Sequence, residues 1–227
     1  RRHGDVSRPQ GFSAANDLMI MSGHTGTHVD ALGHVSEHGR LFGGLAAADV
    51  QRGGRGLTRL GIETAAPIVA RGVLLDVAGF HQVPRLSGGY AIGDAELKAV
   101  AQHQGVAIAA GDVVLVRTGW MQLWDDPRAY RGEETGEPGV DVSGAQWLAS
   151  LGVRATGADT IDYEVMRPGD SAMPVHLVLI PRHGIHILEM VNLEALARDQ
   201  VYVFLFIATP LKFVGGTGSP VRPIAIA

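Results

Sequence analysis

The chain has no cysteine, so disulfides and thiolate ligands are both excluded, and any bound metal must be held by nitrogen and oxygen. No basic run and no lysine patch interleaved with aromatics appears. At a net charge of −4 the chain gains nothing from a polyphosphate surface, which argues against a nucleic-acid partner. Its longest apolar stretches, such as VYVFLFIA at 201–208, fall far short of the roughly 20 residues a spanning helix needs, so no membrane role is expected. The opening residues RRHGDV carry neither methionine nor an apolar leader core, and the expected location is cytoplasmic.

What is present describes an ordinary globular protein, 46% hydrophobic and 19% charged over 227 residues, with no linker and no internal repeat; residues 1–227 read as one domain. Apolar runs bounded by Gly, Pro or Asp predict strands at 17–22, 72–77, 112–118, 184–189, 201–207 and 223–227. Several are apolar on both faces, as central strands are. Helices are fewer: one capped by Asp94 and closed by Gly105, one over 143–150 with a Ser cap, one at 191–198, and a helical turn between Pro174 and Pro181. The fold class is α/β with a mixed sheet. GGTGSP (215–220) lacks the Lys-Ser/Thr ending of a phosphate loop, and turn chemistry explains its glycines.

The informative segment is HTGTHVDALGH, with His24, His28, Asp30 and His34 all at even positions. In an extended chain these four side chains share one face, whereas on a helix Asp30 would stand about 240° from His24. The glycines and β-branched residues between them also disfavour a helix. Imidazole and carboxylate suit zinc, manganese or ferrous iron, and an incomplete protein ligand set leaves a place for water. A histidine outside the ligand set then serves as a proton carrier.

This run resembles the HxGTHxDxPxH signature of the cyclase family of metal-dependent hydrolases, which includes bacterial kynurenine formamidase and isatin hydrolase. GDVVLVRTGW, GADT, PVHLVLIPRHGIHILE and GGTGSPVRPIAI resemble further blocks, so the likeness covers nearly the whole chain. Leu32 stands where the signature has proline, leaving Gly33 and packing to aim His34. The resemblance implies a swivelling β/β/α-type fold. It also implies a first cation on His24, His28 and Asp30, and a second sharing Asp30 with His176 and Glu189. The alternative for His176 is a contact with substrate beside a single metal. Parity independently places Glu189 at the end of an apolar strand face, where a carboxylate needs a metal or a charged partner.

The expected activity is hydrolysis of the C–N bond of an amide or cyclic amide, aryl formamide or isatin-like, by a hydroxide formed on Zn²⁺ or Mn²⁺, with His34 as the acid-base group. Phe12 is a candidate for an aromatic substrate wall by the same resemblance. The substrate is a small molecule, and a homo-oligomer, dimer or tetramer, is expected. Three rivals share the site: a lactone or cyclic-ester hydrolase, a 2-His-1-carboxylate ferrous oxygenase, and a non-catalytic metal-binding protein. His38 reads as a loop residue near the entrance, and His183 and His186 as solvated residues flanking a turn. His3, His81 and His103 receive no role, and Trp120, Trp124 and Trp147 read as packing anchors.

Overall fold

The computed structural model describes residues 1–51 and 53–227. Its centre is an eight-stranded mixed sheet built from β1 (His28–Asp30), β2 (Ile68–Asp76), β3 (Val113–Arg117), β4 (Ala155–Ala158), β5 (His186–Glu189), β6 (Val203–Ala208), β7 (Gly218–Pro220) and β8 (Ile224–Ile226). Across the sheet the order is β7-β1-β5-β4-β3-β2-β6-β8. The inner strands β2, β3, β4 and β5 are parallel, and antiparallel pairs flank them on both sides. This is the α/β mixed sheet that the sequence leads one to expect.

β3 and the Val73–Leu75 stretch of β2 are apolar on both faces because both faces are covered. Val73 and Leu75, Val114 and Val116, and Ile187 point into one core, with Leu97 and Val100 of α1 (Asp94–His103) and Ala145 and Leu148 of α2 (Val142–Ser150). The residues of opposite parity, Leu74, Val113, Leu115 and Leu188, point into a second core with Phe204 and Phe206. Alternation with period two therefore assigns neighbouring side chains to different cores. Burial at about 25 cal/mol per Å² makes both cores the main source of stability.

The expected elements need several corrections. Residues 17–22 form no strand and pair with no strand among the described residues, leaving Leu18, Met19 and Ile20 in solvent. An apolar run becomes a strand only where an edge accepts its backbone, and none does here. The cap of α2 is Asp141, which accepts from Gly144 N at 3.0 Å, while Ser143 bonds to Asp141 instead. The helix expected at 191–198 begins at Glu194. Pro181 does not stop the Pro174 turn: Pro174–Leu177 continues into a π turn over Val178–Arg182 that contains it. Trp120 is buried, and Trp124, half exposed, packs edge-on against buried Tyr130. Among the described residues no helix is long and apolar enough to cross a membrane.

The parallel strands end together at Asp76, Arg117, Ala158 and Glu189, and this rim is locked by polar contacts. Arg117 reaches Asp76 at 2.8 Å and Glu194 at 2.7 Å. Asp159, just past β4, accepts from Thr118 N, Thr118 Oγ1 and Gly119 N at 2.7–2.8 Å. Carboxyl ends of parallel strands are where α/β sheets place their ligands.

Candidate metal centre

β1 supplies the framework. His28 and Asp30 sit two residues apart and share a face, while Val29 between them enters the second core. His28 pairs in register with Glu189 on antiparallel β5, bringing His28 Nε2 to 3.0 Å from Glu189 Oε2. His24 and His34 do not belong to the strand. His24 arrives from a turn that contains Gly26 at φ +62°, and His34 from a bend after β1, so the four side chains do not line one extended stretch. They meet nonetheless: His24 Nδ1 is 3.0 Å from Asp30 Oδ1, and the rings of His24 and His34 lie 4.2 Å apart.

His176, on the turn Pro174–Leu177, completes the group, with Nε2 3.4 Å from Glu189 Oε1 and 3.9 Å from Asp30 Oδ2. Two groups able to hold a cation result, His24–His28–Asp30 and Asp30–His176–Glu189, each with donor atoms within 4.8 Å of one another. The donors fit a cation. His28 Nε2, both Asp30 carboxylate oxygens and Glu189 Oε1 are buried and make no hydrogen bond, although they lie close together. Close approach without hydrogen-bond geometry is what lone pairs aimed at a shared centre produce, and leaving such atoms unpaired is costly.

Electrostatics agree. Burial alone pushes the Asp30 carboxyl up, but His24, His34, His176 and His28 outweigh it and hold the carboxyl below its usual range. Burial lowers His28 and His176, yet the surrounding carboxylates win: His28 is raised, and His176 is pushed up to about 10. Carboxylates that favour protons on these rings would equally favour a divalent cation in their place. His34 behaves oppositely. It keeps a solvent-facing edge, but the protein packed around its ring lowers its pKa, with His24 and His176 adding to the shift and Asp30 and Glu189 opposing it. A neutral imidazole at the mouth of the cluster is able to accept a proton.

The Cyclase family profile, described as “Putative cyclase”, matches residues 5–165. The chain belongs to the cyclase family. Isatin hydrolase of Roseibium aggregatum is 26% identical over 214 residues, covering 92% of this chain and 73% of that protein. Cyclase-like protein 3 of Oryza sativa subsp. japonica is 31% identical over 224 residues, covering 97% and 69%. A crystal structure of a novel cyclase superposes with a TM-score of 0.88 at 31% identity, covering 98% of this chain and 76% of that one. Isatin hydrolase A from Ralstonia solanacearum superposes with a TM-score of 0.72 at 27% identity, covering 100% and 80%. The protein is thus a metal-dependent hydrolase of the cyclase family, as the resemblance in its motifs implies.

Around the cyclase cluster lie residues that motif reading passed over. Gly26 O accepts from His28 Nδ1 at 2.8 Å, and Thr217 Oγ1 lies 3.0 Å from His24 Nε2. Gly218 touches the His24 ring so closely that a Cβ there would overlap it, so this glycine of GGTGSP makes room for the imidazole in an edge strand, while Gly215, at φ +73°, serves the turn the sequence leads one to expect. His186 is not merely solvated: its Nδ1 donates to Asp30 O at 2.7 Å and braces β1 from behind. Glu164, fully buried against His176, is the largest omission, since nothing in IDYEVM distinguishes it from a surface acid. Phe12 stands on a small N-terminal hairpin beneath Arg8, half exposed, and no described contact joins it to the cluster. His38 lies at φ +47° in the tight turn between Glu37 and Arg40.

Proposed function

We propose that this enzyme hydrolyses the C–N bond of an amide or cyclic amide of the aryl formamide or isatin type. The observation that carries the reading is the set of buried, unpartnered donor atoms on His28, Asp30 and Glu189. His24, His28 and Asp30 hold one divalent cation, Zn²⁺ or Mn²⁺, and Asp30, His176 and Glu189 hold a second. Bound there, such a cation supplies a Lewis acid for the carbonyl oxygen and a water acidified towards neutral pH. The isatin hydrolases at 26% and 27% identity support the amide bond as target.

The protein's own part is proton handling and placement. A water at the cluster gives its proton to the imidazole of His34 and attacks the carbonyl carbon. His34 returns that proton to the leaving nitrogen, which departs as an amine because an amide anion is too basic, and a carboxylic acid remains. Asp30, His28 and Glu189 are held by β1–β5 pairing, so the constellation is set before substrate arrives. The exposed apolar run Leu18–Met21 supports association into a homo-oligomer.

The test is turnover of a panel of formanilides, isatins and lactones without dioxygen, by protein of known metal content. Cleavage of the amides, abolished by a chelator and restored by zinc or manganese, is expected. Turnover of lactones alone would replace the amide reading, and a requirement for dioxygen would end the hydrolytic one. His34→Ala should lower kcat by about 10² to 10⁴ at unchanged metal content. Metal lost from that variant would make His34 a ligand instead.

A further inference from the structure

We propose that Glu164 is a positioning residue that creates the second cation position by fixing the ring and tautomer of His176. This rests on the reading of His176 and Glu189 as ligands. Glu164 is 1% exposed, and among the described residues no lysine or arginine pairs with it. Its Oε2 accepts from Val175 N at 3.0 Å; its Oε1 accepts from His176 N at 3.0 Å and from His176 Nδ1 at 2.6 Å. With Nδ1 committed as donor to Glu164, Nε2 is left to face Asp30 and Glu189 with its lone pair.

A cap on the Pro174 turn would need only the two backbone bonds. The third, to Nδ1, is extra, and it makes the two positions unequal. His28 at the first position donates its Nδ1 to the neutral carbonyl of Gly26, whereas His176 donates to a buried carboxylate. The chain is bent to achieve this. Tyr163, immediately before Glu164, is fully buried in the left-handed region at φ +57°, pinned by its hydroxyl 2.8 Å from Thr156 Oγ1. Gly139 packs against the Tyr163 and Glu164 backbone with no space for a Cβ. Met190, immediately after Glu189, is also left-handed, at φ +53°. Backbone strain persists where surroundings over-determine it, and here it brackets the second ligand set.

The experiment compares wild type, Glu164→Gln and His176→Ala, each loaded with zinc and read by metal analysis and chelator competition. A cobalt(II) titration followed in the visible reports ligand geometry at each equivalent. Wild type should take up two equivalents. Glu164→Gln should bind the second about 10- to 100-fold more weakly with an altered cobalt spectrum, while the first stays within about threefold. Two equivalents held by Glu164→Gln at wild-type affinity would overturn the inference and leave the two-cation reading standing. Equal weakening of both positions together with a lower metal-free melting temperature would make Glu164 a folding residue and also overturn it. A wild type holding one equivalent that His176→Ala leaves untouched would overturn the two-cation reading, and this inference with it.

Discussion

Gly218 shows how much a single side chain, or its absence, decides at this site. A Cβ there would lie 2.6 Å from His24 Cε1 and 3.0 Å from Nε2, on a ring already held by Thr217. Gly218→Ala must therefore displace His24 from Asp30. Metal retained after dialysis should fall with an affinity loss of about tenfold or more, and Thr217→Val, which removes only the orienting hydroxyl, should lose less. Unchanged retention in Gly218→Ala would show that His24 is not a ligand. His24, His28, Asp30 and His34 were legible in the sequence because they form a local motif, though only His28 and Asp30 owe their shared face to strand parity. The reason for Gly218 was not, since it lies in a ring reaching over from the far end of the chain.

The strands show the same division between local and distant information. β3 and the second half of β2 were legible because covered faces demand unbroken apolar runs, and β5 and β6 because enough of their residues are apolar, although Val203 and Leu205 of β6 are exposed. β4, with the sequence ATGA, was not: Gly157 is small because the Leu188 backbone and side chain press on it, and no apolar run advertises the strand. β7 was hidden by Gly and Pro, and residues 17–22 carried a strand pattern without an edge to join. Between elements, the bond of Arg117 on β3 to Glu194 on Glu194–Arg198 makes a prediction. Partial burial raises the Glu194 carboxyl, but Arg117 and Gln122 more than offset this and hold it below the usual range. A depressed carboxyl favours the folded state above its unfolded pKa, and that stabilisation is lost as pH falls through the folded value. Thermal melts from pH 6 to pH 3, a window chosen around the ordinary glutamate pKa of about 4.3, should fall more steeply in wild type than in Glu194→Gln. Parallel curves would show that the pair contributes nothing to acid sensitivity.

At the level of the whole molecule, the donor set joins segments far apart in the chain: β1 near its start, and the Pro174 turn and β5 in its last quarter. A cation held by all three binds the folded state and finds no such site in the unfolded chain, so it must raise stability by mass action. At a free ion concentration 100 times Kd the gain is about 2.7 kcal/mol. For a chain of this length each kcal/mol moves the melting temperature by about 2–4 °C, so zinc or manganese should raise it by about 5–11 °C over chelated protein. Asp30 is common to both ligand sets and fully enclosed, which makes it the control. Asp30→Asn keeps its shape but loses the charge that recruits the ion, and its melting temperature should not respond to metal. A shift of wild-type size in that variant would mean that the ion binds elsewhere, on surface carboxylates away from the cluster, and would detach the hydrolytic chemistry from the residues to which it is assigned.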